Sequence, residues 1–147
     1  LISGDSKHLA EPALVLTPPD KATEADDGLL TASEIAQLKL NAEWVILSAC
    51  NTAHAESAGA EGLSGLAKAF FYAGSRALLV SHWPVESQSA TELTRGMFEA
   101  LKTNPAMGRS EALRRSMFKL AVNDNHPHWA HPAFWAPFVV VGEGARR

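Results

Sequence analysis

The sequence holds a single cysteine, Cys50, so no internal disulfide is possible. That usage fits a reducing, cytoplasmic compartment. Long hydrophobic runs are also missing. None approaches the roughly 18 apolar residues that a membrane span needs. No basic stretch followed by an apolar one marks a signal peptide after Leu1. Charge of one sign is scarce too, with a net charge of -3 and 20% charged residues. So weak a balance argues against nucleic acid or an anionic membrane surface as partner. There is no internal repeat, no low-complexity segment and no visible second domain. What remains is 147 residues that are 46% hydrophobic, enough for one soluble globular domain with a real core. The chain starts at Leu1 rather than at a methionine and is expected to be part of something longer.

Ala13-Leu14-Val15-Leu16 is a short apolar run, expected as a strand that stops at Thr17-Pro18-Pro19. Asp20 to Gly28 is charged and expected as a surface loop. Thr31 and Glu34 have capping-box spacing, with Leu30 and Ile35 placed as a hydrophobic staple. The helix they open should run to about Leu40 and turn Ile35, Leu38 and the stem of Lys39 inward. Trp44-Val45-Ile46-Leu47 is continuously apolar, as a strand buried on both faces must be. Leu63, Leu66, Ala67, Phe70 and Phe71 match the spacing of an amphipathic helix, which Gly74 can end. Ala77 to Val80 is a second buried strand. Ser89 and Glu92 have capping-box spacing for a helix lined by Leu93, Met97, Phe98 and Leu101, stopping at Asn104-Pro105. Another helix starts near Ser110, and Phe138 to Val141 is the last strand. Buried strands alternating with amphipathic helices imply an α/β layered fold with a mainly parallel sheet.

In open α/β sheets, sites form beyond the carboxyl ends of the strands. Two loops fall there, Ser48 to Thr52 and Ser81 to Val85. Cys50 lies in the first. The N-terminal amides of a following helix would favour its thiolate, the reactive form. By position alone it reads more readily as a small buried hydrophobe.

Four motifs stand in order along the chain. They are Ser48-Ala49-Cys50-Asn51-Thr52, then Gly62-Leu63 through Leu66-Ala67 and Phe70 to Ala73-Gly74, then Trp83-Pro84-Val85, and last His131-Pro132 with Trp135-Ala136 and Phe138. Together they resemble the CHAT family, which belongs to the wider clan of caspases, metacaspases and separases. The resemblance runs from about Leu14 to Gly144. It implies a three-layer caspase-like fold with the last strand antiparallel, and a Cys/His dyad in which Cys50 is the nucleophile. It places the histidine in a His-Gly-like motif roughly 50 residues upstream of the cysteine. No His-Gly stands there, and His8 sits in a polar loop with no strand leading into it. The chain is therefore expected to be the C-terminal part of the domain, without the dyad histidine and inactive alone. Asn51-Thr52-Ala53 stands where many members carry Glu-Thr-Gly. His82 stands where Leu often precedes the tryptophan, and Glu86-Ser87 where an acidic pair is common. These departures bear on substrate preference.

By analogy with caspase-like pockets, Ser48, Ser81, His82 and Trp83 should line the pocket for the residue before the scissile bond. Trp83 reads equally as a cover over the sheet end. His126, His128 and His131 crowd one stretch, but Pro127 and Pro132 break any helix that would align the rings, so no metal site is expected. The stretch should be a turn in which Trp129 and Trp135 pack. The resemblance implies a cysteine endopeptidase acting on a protein or peptide substrate, without cofactor and regulated by a partner or a tetratricopeptide-repeat (TPR) segment. The alternative is a non-catalytic interaction module that kept the fold.

Overall fold

The structure, a computed structural model, describes residues 11–17, 20–21, 23, 27–47 and 61–145. The chain runs through β1 (Ala13–Val15), β2 (Leu29–Thr31), α1 (Ala32–Gln37), β3 (Val45–Leu47), α2 (Glu61–Tyr72), β4 (Ala77–Ser81), α3 (Ser87–Thr103) and α4 (Arg109–Ala121). Two 3-10 turns, Pro127–Ala130 and Pro132–Phe134, lead into β5 (Phe138–Gly142).

The main sheet has the order β3-β4-β5. β3 and β4 are parallel, pairing Val45 with Leu78, Ile46 with Leu79 and Leu47 with Val80. β5 joins β4 antiparallel, from Ala77 opposite Gly142 to Ser81 opposite Phe138. All five residues of β4 are buried, as an uninterrupted apolar run demands of a central strand. Side chains alternate along it between two cores. Leu78 and Val80 pack with Ile35, Leu47, Leu66, Ala69 and Phe70. Leu79 faces the other way, into Leu93, Met97, Leu113, Leu120, Trp129 and Phe138. Thus α1 and α2 serve one face of β4, and α3 and α4 the other.

The mix of helices and strands, and a sheet with a parallel pair and an antiparallel last strand, fit the sequence expectation. β1 lies outside the main sheet and pairs antiparallel with β2, Ala13 opposite Thr31. Of β1 only Ala13 is buried, and Val15 is half exposed. A strand with one wet face suits a two-stranded ribbon rather than a doubly covered parallel sheet. β2 itself falls on residues expected only as the entry to α1.

α1 opens on the expected capping box. Thr31 Oγ1 accepts from the Glu34 amide at 3.3 Å, and Glu34 Oε2 accepts from the Thr31 amide at 2.8 Å. It ends at Gln37, short of Leu40, and Leu38 is exposed rather than inward. The reason is the next connection. The Leu40 amide donates to Ala73 O at 2.8 Å and the Ala42 amide to Gly74 O at 3.1 Å, which draws the chain off the helix axis toward β3.

α2 ends as expected at Gly74, with φ +97°. Gly74 N donates to Phe71 O and Ser75 N to Phe70 O, the two bonds of a Schellman motif. α3 does not start at Ser89. Its N-cap is Glu86, and Ser89 is fully buried within the first turn, its hydroxyl donating to Glu86 O at 2.9 Å. Glu92 pairs instead with Arg95 one turn on. Leu93 and Met97 are fully buried, whereas Phe98 is substantially exposed and meets Trp44 edge-on. The helix stops at Asn104 before Pro105, as expected. No described helix is long and apolar enough to cross a membrane.

Gly142 ends β5 at φ +96°, and a Cβ there would stand 2.6 Å from Arg76 O and 2.9 Å from the Phe71 ring. Left-handed backbone costs a residue with a Cβ about 1–2 kcal/mol. Overpacking adds about 1–3 kcal/mol. Gly142→Ala should therefore destabilise the chain by about 3 kcal/mol, read as a lower urea midpoint at unchanged slope. A midpoint equal to the parent's would show that the strand end is free to shift.

Candidate functional site

β3 and β4 are parallel and end together, Leu47 beside Val80, so both carboxyl ends reach one edge of the sheet. α2 connects them. A helix joining two parallel strands runs back against them, so its N-terminal end returns to that same edge. Ser48 and Cys50 follow Leu47 in the chain and lie outside the described residues.

The other expected pocket residues are described. Ser81 closes β4 and is buried, paired in register with Phe138. The His82 amide donates to Pro137 O at 3.0 Å while the residue is exposed. Trp83 is 41% exposed, which makes it neither a core residue nor a free surface one. Its indole Nε1 donates to Ala133 O at 3.1 Å. Ser81 thus meets the start of β5, and His82 and Trp83 tie the β4 end to the stretch just before it.

That stretch is the histidine-rich one. Pro127 and Pro132 each sit in the first turn of a 3-10 segment, where a missing amide hydrogen costs nothing. Trp129 is fully buried in the core between α3, α4 and β5, and its indole Nε1 donates to Glu86 Oε2 at 2.6 Å. Trp135 packs at the border of that core, so the expectation that both tryptophans pack is met. His126 stacks on Trp129, centroids 3.9 Å apart and planes 13° apart. His128 Nε2 lies 4.0 Å from Glu86 Oε2. His131 caps the second turn, its Nδ1 accepting from the Ala133 amide at 3.2 Å. Each ring is thus engaged, His126 by stacking, His128 by edge contacts with Trp129 and Phe134, and His131 by capping. Among the described residues no group of three or more His, Cys, Asp or Glu is placed to hold a metal ion.

Sequence reasoning missed Glu86 and the capping role of His131. The two His-Pro pairs, 126–127 and 131–132, were the available clue, since proline favours the first position of a helical turn. At the opposite edge, a cleft lined by Glu43, Trp44, Leu101, Met107 and Arg109 opens before β3. Its Arg109 is neutralised by Glu43 and lies over the Trp44 ring at 5.3 Å. Among the described residues no serine, threonine or cysteine lines it.

The CHAT domain profile matches residues 2–143. Tetratricopeptide repeat protein 28 of Mus musculus is 29% identical over 122 residues, covering 80% of this chain and 5% of its own length. The Homo sapiens protein of that name is 28% identical over the same 80%, covering 4% of its length. The chain thus spans about a twentieth of the curated relatives it matches. No solved structure matches it. On the family match over nearly its whole length, the chain belongs to the CHAT domain family.

Proposed function

We propose that the chain is the nucleophile-bearing, C-terminal part of a three-layer caspase-like domain, a cysteine endopeptidase acting on protein or peptide substrates. The observation that carries this reading is the common edge of β3 and β4. Cys50 is three residues past Leu47, so chain connectivity alone keeps their Cα atoms within about 11 Å. The loop Ser81-His82-Trp83 leaves the neighbouring strand at that edge. Helices against both faces of β4 support the layering.

A histidine upstream in the parent protein takes the Cys50 Sγ proton. The thiolate attacks the substrate carbonyl, and the amine leaves with that proton as the acyl-enzyme forms. Water then attacks the thioester and releases the acid. The Cys50 amide donates to the oxyanion, and one such donor is worth about 3 kcal/mol of barrier. Ser48, Ser81, His82 and Trp83 line the pocket before the scissile bond. His82, exposed at the sheet edge, is a lesser candidate for the base. The domain works in the cytoplasm, its activity governed by a partner or TPR segment.

One finding favours a second reading, a non-catalytic interaction module. The relatives carry tetratricopeptide repeats in their name, and the matched part is about a twentieth of each. Repeat arrays bind partners, and a fold can be kept for binding alone.

Thiol reactivity separates the two. At pH 6 an ordinary thiol of pKa about 8.5 is roughly 0.3% thiolate. In the parent protein, Cys50 should be alkylated by iodoacetamide at pH 6 at least about tenfold faster than such a thiol. Labelling at the ordinary rate or slower identifies Cys50 as a buried structural cysteine and favours the interaction module.

A further inference from the structure

The motif His131-Pro132, with Trp135 beyond it, has no part in the chemistry above. Its contacts give it one. Trp83 is 41% exposed at the sheet edge, and its Nε1 donates to Ala133 O at 3.1 Å. Ala133 lies in the turn Pro132–Phe134. That turn is a single 3-10 segment, too short to persist by itself. It is held at its start by His131, whose Nδ1 accepts from the Ala133 amide at 3.2 Å. The same residue therefore has its amide fixed by His131 and its carbonyl given to Trp83. A second tie lies three residues on. Glu86 ends the loop that Trp83 begins, and its Oε2 accepts from the buried Trp129 indole at 2.6 Å. The His82 amide, bonded to Pro137 O at 3.0 Å, is the third. The loop from His82 to Glu86 is thus bonded at three points to the stretch from Trp129 to Pro137.

We infer that the 126–137 stretch is a buttress that fixes Trp83 as a wall of the pocket, with His131 and Glu86 as positioning residues for it. The link to a pocket rests on the peptidase reading, while the holding of Trp83 does not. An indole held at its edge presents a face of fixed direction, which lowers the entropy lost when a substrate side chain packs on it.

Two readouts test this, and they fail separately. The first is exchange with water of the Trp83 indole proton, measured by NMR on the 147-residue chain and assigned with Trp83→Phe. His131→Ala should speed this exchange at least threefold without lowering the melting temperature enough to unfold the chain. His131→Asn, which keeps a side-chain acceptor at the cap, should restore it. The second is labelling of Cys50 in the parent protein by a set of peptidyl acyloxymethyl ketones. His131→Ala should raise the half-saturating concentration about tenfold or more and leave the limiting rate unchanged, again restored by Asn. Unchanged indole exchange in His131→Ala overturns the buttress. Faster exchange with unchanged labelling overturns its link to the pocket and leaves the nucleophile standing. If the unsubstituted parent is not labelled at all, the peptidase reading fails, and the exchange result alone then decides the buttress.

Discussion

Trp129→Ala should cost the chain about 4 kcal/mol of stability, the range found for deleting a fully buried indole. Trp129 is wholly inaccessible and sits where α3, α4 and β5 converge, among Leu79, Leu93, Met97, Leu120 and Phe138. Deleting the indole there would leave a cavity among those elements. The substitution also strands the Glu86 carboxylate. That side chain is 41% exposed and can turn to water, so its share of the loss is small. Trp129→Phe isolates this share by keeping most of the ring while removing the donor, and should cost about 1 kcal/mol. Domains of this size are stable by about 5–15 kcal/mol, so the alanine variant should melt at least about 10 °C lower. Thermal unfolding followed by circular dichroism measures both. A loss below about 1 kcal/mol in the alanine variant would mean that the core closes over the gap and that Trp129 is not its keystone.

How much of this was legible in the sequence depends on how local each determinant is. α2, α3 and α4 were readable because an apolar stripe at helical spacing has few other uses. β3 and β4 were readable because a continuous run such as Leu78-Leu79-Val80 can only lie between two cores. β2 was not. Leu29-Leu30-Thr31 sits directly before a capping box and reads as a helix entry, and it becomes a strand only because Ala13–Val15 pairs with it. Ser89 and Glu92 have the spacing of a cap inside a helix that started earlier, at Ser87 after Pro84-Val85-Glu86. The same short pattern serves both positions, and only the upstream proline distinguishes them. Leu38 was misplaced because the bonds that end α1 come from Ala73 and Gly74, more than thirty residues away. The site divides in the same way. Placing Trp83 just past the end of β4, beside the end of β3, needed only strand order and the family's motifs, while Cys50 lies outside the described residues. That Trp83 is held by Ala133, and Glu86 by Trp129, are contacts across 50 and 43 residues, which no local pattern encodes.

The largest effect concerns activity. In the full-length parent, activated by its natural partner and given its protein substrate, Cys50→Ala should abolish cleavage. Removing the nucleophile of a covalent mechanism typically costs roughly 10⁴-fold or more, because what is left is substrate binding and the oxyanion donors. Cys50→Ser tests the same point from another side. A hydroxyl in place of the thiol is a far weaker nucleophile beside the same base, so serine should rescue little. Fold and partner binding should survive in both variants. Circular dichroism and a binding titration check this, and without them a loss of cleavage would not separate chemistry from folding. The 147-residue chain should cleave nothing with or without the substitution, because the proposed base is supplied from upstream. If Cys50→Ala cuts as fast as the parent, another group carries the reaction. If the parent, with its partner bound, cuts no protein at all, the interaction module is the correct reading.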